Sequence, residues 1–211
     1  SGDHRDLPSF PTRRSSDLPH DIFFCEDGKF FINGKEIGEA ADHKFGWLTL
    51  KNIISKSSNI GSVKIAQQLG KKTFYDYIRK FGFGQKTGIA LPGEAAGRFK
   101  ELADWDERSL ASISFGHEIS TTPLQMISAI SVIANGGTLM VPRVTREIIK
   151  NGRATKTFKA KNVRRVISTQ TSRQMVDILK HSVKAGTGGG AARSGARRVG
   201  KECRSRWSPH P

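Results

Sequence analysis

The chain has 211 residues, of which 36% are hydrophobic and 26% charged, and this composition is typical of a globular protein with one sizeable core. It contains no apolar run of about 18 residues and no secretory signal pattern, so we expect neither a membrane-spanning helix nor a leader in these residues. The net charge of +16 would by itself suggest a nucleic acid or another polyanion as a partner.

The positive charge is unevenly distributed along the chain. Residues 193–211 hold six Lys or Arg and one Glu and so account for +5, residues 1–20 balance, and +11 remains for the residues between. Nucleic-acid binding would require a basic helix or aromatic residues between basic ones, and the sequence shows neither. We therefore expect no nucleic-acid partner. Cys25 and Cys203 form no motif with each other or with histidine, so no disulfide, metal or cofactor is expected.

The two ends differ from the rest of the chain. Residues 1–18 have no apolar periodicity, and their FPTRRSSDL run resembles a translated sequencing adapter. The VGKECRSRWSP run near the other end has the same character. We interpret residues 1–18 and 193–211 as non-native segments, with genuine disordered tails as the alternative, and assign them no function.

From residue 19 the sequence predicts ordered structure. Phe23–Phe24 and Phe30–Ile32 indicate two short strands, and Asp27-Gly28 between them predicts a hairpin. The neighbours Asp42 and His43 could form a general base, but an isolated pair of this kind is more often a surface or packing feature.

The next stretch predicts three helices and an elbow. Thr49 can cap the first helix, and the triplet Ser57-Ser58-Asn59 interrupts it, because Ser and Asn compete with helical hydrogen bonding and favour caps. The second helix should begin at the triplet and stop at Gly70. A third should follow and end in the glycine-rich loop 82–93.

The second half predicts a buried helix followed by strands. Trp105 and Leu110 should face inward, and Thr122 with Gln125 forms a capping box. The helix after this box is apolar almost all round, so we expect it to be buried. Asn135-Gly136-Gly137 should end it, with strands and turns up to residue 160.

Three further patterns are considered in this half. A last helix is predicted over about residues 169–184. The GTGGGA run at 186–191 satisfies a dinucleotide fingerprint but follows a helix and lacks the acidic partner, so we discount it. Ser114 and His117 could suggest a hydrolase pair, yet no G-x-S-x-G accompanies them.

Three ordered blocks carry a family resemblance: SSNIGSVKIAQQLG at 57–70, YIRKFGFGQKTGIALPGEAAG at 77–97 and SFGHEISTTPLQMISAISVIANGG at 114–137. They resemble the transpeptidase domain of class B penicillin-binding proteins, particularly the cell-division type, over about residues 19–192. The resemblance implies an α+β fold like that of the penicillin-binding proteins and serine β-lactamases, an antiparallel sheet with a helical lobe. We expect this domain to be incomplete here.

The resemblance also implies a chemistry. The family's site combines S-x-x-K, S-x-N and K-T-G motifs, and its serine forms an acyl-enzyme with a peptidoglycan stem peptide before a second stem peptide takes the acyl group. Ser57 and Asn59 match S-x-N. The triplet alone favours helix caps at these two residues, and the surrounding family match reverses that preference. The implied ligands are stem peptides and β-lactams, with division proteins as possible partners. The implied location is the periplasmic face of the bacterial inner membrane, through an N-terminal anchor that we do not find here.

The other two motifs do not fit. No Ser or Thr in the chain has a lysine three residues later, so we expect the nucleophile to belong upstream of residue 1. Lys86-Thr87-Gly88 follows S-x-N too closely to be the catalytic K-T-G, and we interpret Lys86 as a solvated loop lysine. Where that motif should stand, the chain reads Lys201-Glu202-Cys203. We expect this chain to be inactive as an enzyme. The alternative is a noncatalytic module that binds the cell envelope or a polyanion on a degenerate transpeptidase scaffold.

Overall fold

The computed structural model describes residues 21–188. Six α-helices occur in this part: α1 (Leu50–Lys56), α2 (Asn59–Leu69), α3 (Lys71–Lys80), α4 (Glu107–Ser114), α5 (Pro123–Ala134) and α6 (Thr169–Ala185). Its strands are β1 (Ile22–Phe24), β2 (Lys29–Ile32), β3 (Lys35–Gly38), β4 (Trp47–Thr49), β5 (Arg98–Phe99), β6 (Ile119–Ser120), β7 (Thr138–Met140), β8 (Glu147–Lys150), β9 (Arg153–Thr157) and β10 (Asn162–Arg165). The proposed segments 1–18 and 193–211 lie outside the described residues.

The strands form antiparallel pairs rather than one large sheet. Over residues 21–188 the pairs are β1–β4, β2–β3, β5–β6, β7–β10 and β8–β9. Helices pack beside the β1–β4, β2–β3 and β7–β10 pairs, so the described part is an α+β structure, as the family resemblance implies.

The predicted hairpin around Asp27-Gly28 is wrong. Phe23 of β1 lies opposite Leu48 of β4, and Glu26–Gly28 forms a single 3-10 turn. The hairpin is instead β2–β3, closed by Asn33 and Gly34 at φ of 48° and 76°. Two consecutive positive φ angles define the turn that best matches the twist of paired strands, and Asn-Gly is its preferred sequence.

The helix boundaries agree closely with the sequence. The Thr49 hydroxyl accepts a hydrogen bond from Asn52 N–H at 3.3 Å, and Gly70 ends α2 at φ 79°. Thr122 and Gln125 form both bonds of the predicted capping box. Helix α6 also begins at the predicted residue, because Ser168 caps it through Thr171 N–H at 3.0 Å.

Buried side chains form several small clusters between helices and strand pairs. One cluster lies under α1 and α2 and contains Phe23, Cys25, Leu48, Ile53 and Ile60. A second joins α2 to α4 through Ala66, Trp105, Leu110 and Ile113. Trp105 and Leu110 therefore face inward, as predicted.

Helix α5 departs from the prediction that it is buried all round. Its buried face carries Gln125, Ala129 and Val132. On the opposite face Met126, Ile127 and Ile130 are 47%, 62% and 51% exposed. The reason is that β7 and α6 pack along one side of this helix, and no described element covers the other.

Helix α6 packs against α1 and brings the residues after it close to the elbow. Thr187 N–H donates to the Ser55 carbonyl at 3.0 Å. At Gly186, any Cβ would stand 2.2 Å from that same carbonyl oxygen. A glycine is therefore required where the two backbones meet.

Candidate functional site: the Ser57-Ser58-Asn59 elbow

The elbow between α1 and α2 turns on Ser57. Its N–H donates to Ile54 O at 3.3 Å, the next N–H donates to Ile53 O at 3.0 Å, and Ser57 has φ 54° and ψ 45°. This is the left-handed helix ending that glycine usually occupies. A serine there costs about 1–2 kcal/mol of backbone strain.

The middle residue, Ser58, performs the capping. Its hydroxyl accepts from Gly61 N–H at 3.0 Å and donates to Glu39 Oε1 at 2.5 Å, and the residue is completely buried. Neither Ser57 nor Asn59 caps α2 with its side chain. The side chains of the two residues that match S-x-N therefore make no capping hydrogen bond to α2.

Ser57 and Asn59 have different surroundings. Ser57 is exposed, and its Oγ lies 3.4 Å from Thr187 Oγ1. The Asn59 side-chain amide donates to Gly38 O at 3.0 Å and lies on a groove of about 500 Å³ that also reaches Ser112 and His117. The structure therefore places the two residues on adjoining surfaces of one elbow, with Thr187 beside the first.

Two neighbours of the elbow were missed from the sequence. Glu39 directly follows β3, and it bonds both Ser58 and Asn59 although it lies 18 residues before Ser57. Thr187 stands in the glycine run at 186–191, which resembles a dinucleotide fingerprint and precedes the expected place of the catalytic K-T-G. No local pattern marks either residue as a neighbour of the elbow, since both contacts depend on tertiary packing.

Lys86-Thr87-Gly88 lies in a loop, and Lys86 is exposed, as predicted. The Glu94 carboxylate accepts from the Thr87 hydroxyl at 2.5 Å, from Thr87 N–H at 2.6 Å and from Gly88 N–H at 3.1 Å. The Thr87 hydroxyl, aided by these backbone amides, lowers the pKa of Glu94. The three hydrogen bonds to Glu94 thus hold this tripeptide in a turn.

The other two candidate pairs, Asp42-His43 and Ser114-His117, make local packing and backbone contacts. His43 Nδ1 lies 2.6 Å from Ala40 O and its ring stacks on Phe45. The Ser114 hydroxyl donates to Ala111 O at 2.7 Å, whereas His117 packs edge-on against Phe115. Neither arrangement forms a nucleophile and base pair.

The remaining sequence candidates form neither a reactive thiol nor a metal site in the described part. Burial raises the pKa of the Cys25 thiol, which disfavours a reactive thiolate. Between residues 21 and 188, no three His, Cys, Asp or Glu side chains gather as a metal site would need. The helices of the same range are too short or too polar to cross a bilayer. Lys201-Glu202-Cys203 lies outside the described residues.

Comparison with known families identifies the class of protein. Residues 19–201 match the penicillin binding protein transpeptidase domain. The chain therefore belongs to the transpeptidase domain family of the penicillin-binding proteins.

Individual relatives agree with this assignment. The chain is 38% identical over 181 residues to stage V sporulation protein D of Bacillus subtilis, covering 84% of the chain and 28% of that protein. It is 32% identical over 182 residues to penicillin-binding protein PbpB of Mycolicibacterium smegmatis, covering 82% and 28% respectively. The chain thus spans little more than a quarter of the length of these relatives.

A solved structure supports the fold. The crystal structure of penicillin binding protein 3 from Mycobacterium tuberculosis, complexed with aztreonam, superposes with a TM-score of 0.70 at 31% identity. The match covers 78% of this chain and 37% of that one. The strand pairs and helices described above therefore share the fold of part of that protein.

Proposed function

We propose that this chain is part of a peptidoglycan D,D-transpeptidase, in which Ser57 and Asn59 are the S-x-N pair of the active site. The observation that carries the proposal is the division of roles in the elbow. Ser58 caps α2 and is buried, while the Ser57 hydroxyl is exposed on a strained left-handed residue. Strain of this kind is usually retained at functional sites.

The elbow can supply part of the chemistry of acyl transfer. A hydroxyl such as that of Ser57 can pass a proton between a nucleophile, its lysine base and a leaving amine. The Asn59 amide can donate to and accept from an extended peptide backbone. The nucleophile itself belongs to an S-x-x-K motif, which these 211 residues do not contain.

We therefore propose that residues 19–192 are a partial domain, and that the parent protein supplies S-x-x-K upstream and K-T-G downstream. By itself the chain should not acylate. Its ligands in the parent are stem peptides and β-lactams, and the mycobacterial neighbour of known structure binds aztreonam. We propose that the parent lies at the bacterial inner membrane, facing the periplasm, with a role in cell division rather than elongation.

Sequencing of the source DNA across both ends of the reading frame tests the partial domain. We expect an S-x-x-K block and an apolar anchor upstream, and K-T-G downstream. If the frame closes without them, the noncatalytic binding module replaces this proposal.

A chimera tests the site. Residues 19–188 of this chain replace the matching segment of the Bacillus sporulation protein, which supplies the two missing motifs. Labelling by a fluorescent penicillin is then timed, and we expect Ser57→Ala and Asn59→Ala to slow it by roughly 100-fold or more, the usual effect of losing a proton-transfer or positioning group. Ser131→Ala, on the exposed side of α5, is the matched control and should label normally.

Two results would contradict the assignment. One is unchanged labelling of both variants in a folded chimera. The other is a stoichiometric penicillin adduct on the unmodified 211-residue chain, detected by intact-mass spectrometry, since this would place the nucleophile within the chain.

A further inference from the structure

Glu39 is a buried carboxylate with an unusual set of partners. It follows β3 in an extended conformation, with φ −77° and ψ 156°, and is 8% exposed. Among residues 21–188, no Lys, Arg or His forms an ion pair with it. A charge in such a place must be compensated by hydrogen bonds.

The compensation comes from the elbow. Glu39 Oε1 accepts from the Ser58 hydroxyl at 2.5 Å, and Oε2 accepts from Asn59 N–H at 2.6 Å. The carboxylate therefore uses both oxygens on consecutive residues at the start of α2. Hydrogen bonds to a charged acceptor are shorter and stronger than neutral ones, and a helix N-terminus favours negative charge.

A second contact joins the same two segments. Asn59 Nδ2 donates to the carbonyl of Gly38, the residue before Glu39. The backbone and the side chain of Asn59 are thus both tied to residues 38–39. The Ser58 hydroxyl is fixed as well, because it also accepts from Gly61 N–H.

We infer that Glu39 is a positioning residue of the transpeptidase site, which holds the elbow so that Ser57 and Asn59 keep a fixed relation. The inference rests on the proposed role of those two residues. Ser57 occupies a left-handed conformation that serine does not favour, so the elbow needs external contacts to keep its shape. The two bonds from Glu39 to residues 58 and 59 provide them directly beside the strained residue.

The experiment compares three variants of the full 211-residue chain by NMR. Glu39→Gln keeps the size of the side chain but removes its charge. The one oxygen of the glutamine amide cannot accept both hydrogen bonds. Glu39→Asp keeps the charge on a shorter stem and should partly restore the bonds. Glu36→Gln is the matched control, because Glu36 lies on β3, just before Glu39 in the chain, and is exposed.

The readout is the exchange rate of single amide protons. In Glu39→Gln we expect the Asn59 and Gly61 amides to exchange about 10- to 100-fold faster, the effect of losing a hydrogen bond to a charged group, with α3 and α6 unchanged. Glu39→Asp should lie between this variant and the parent chain. The inference would be overturned if the Asn59 and Gly61 amides exchanged at the same rate in Glu39→Gln as in Glu36→Gln.

The chimera adds a readout that separates positioning from stability. Glu39→Gln should lower the penicillin acylation rate at an unchanged melting temperature, and Glu39→Asp should recover part of the rate. If Glu39→Gln does not fold, the comparison of Glu39→Asp with the parent chain replaces it, and exchange at Asn59 should still be faster in Glu39→Asp. If Ser57→Ala slows acylation but a folded Glu39→Gln chimera acylates at the normal rate, only the positioning role of Glu39 is overturned. If neither Ser57→Ala nor Asn59→Ala changes the acylation rate, the proposed function is refuted.

Discussion

Thr87 donates both its hydroxyl and its backbone N–H to the same oxygen of Glu94, at 2.5 and 2.6 Å. Gly88 N–H donates to the second carboxylate oxygen at 3.1 Å. One ionised side chain therefore holds the turn that contains the K-T-G tripeptide.

This carboxylate should make the turn sensitive to acid. The hydrogen bonds lower the folded-state pKa of Glu94, so their contribution is present above the unfolded pKa and is lost as the pH falls through the folded value. We expect the Thr87 and Gly88 amide resonances to titrate together, with a midpoint below the ordinary glutamate value of about 4.3. Glu94→Gln should abolish this titration. A midpoint at or above that value would contradict the assignment.

Gln125 should be important for stability, because its buried side chain satisfies three backbone groups. Its oxygen accepts from Thr122 N–H at 2.9 Å, and its amide donates to Gln85 O at 2.7 Å and Ala96 O at 2.8 Å. Gln125→Ala leaves these groups without their partner, and we expect a loss of about 2–3 kcal/mol in urea unfolding. Gln68→Ala, on the exposed side of α2, should change stability by less than about 0.5 kcal/mol. Equal effects of the two substitutions would refute this role.

Gly61 allows α1 and α2 to approach closely. A Cβ at this position would lie 2.6–2.9 Å from three side-chain atoms of Ile53. We expect Gly61→Ala to destabilise the chain by about 1–3 kcal/mol through overpacking, partly offset by the higher helix propensity of alanine. In an Ile53→Ala background the same substitution should become neutral or stabilising. Additive effects in this double-mutant cycle would contradict the close contact.

The exposed face of α5 should bind apolar dyes. Met126, Ile127 and Ile130 form an apolar surface on one side of this helix. We expect Ile127→Glu with Ile130→Glu to reduce the fluorescence of bound anilinonaphthalene sulfonate while leaving the unfolding midpoint nearly unchanged. Val132→Glu places a charge on the fully buried side and should unfold the chain. A large loss of stability in the double variant would show that this face is covered in solution.

Local signals in the sequence predicted the helices well and the strand pairing poorly. Thr49, Gly70 and Thr122 mark helix ends through hydrogen bonds within a few residues, which the sequence displays directly. Phe23 lies opposite Leu48 instead, a pairing across 25 residues that no turn residue announces. The Asn33-Gly34 pair that closes the β2–β3 hairpin is a local turn signal that the sequence prediction did not use.

The elbow was predictable as a break between helices, but its internal roles were not. Ser and Asn at 57–59 indicate a helix start, and Ser58 is indeed the cap of α2. The left-handed Ser57 could not be foreseen, because the sequence places no glycine at that helix end. Glu39 and Thr187 reach the elbow only through the packing of β3 and α6.

The contacts around Ser57 also differ in how far along the chain they reach. Glu39 and Ser58 are 19 residues apart, whereas Ser57 and Thr187 are separated by 130. At ordinary rates of translation, the later partner leaves the ribosome roughly 7 to 26 s after the serine. The upstream side of the elbow can therefore be set early in synthesis, and its other side acquires Thr187 only when α6 has been made and has docked on α1.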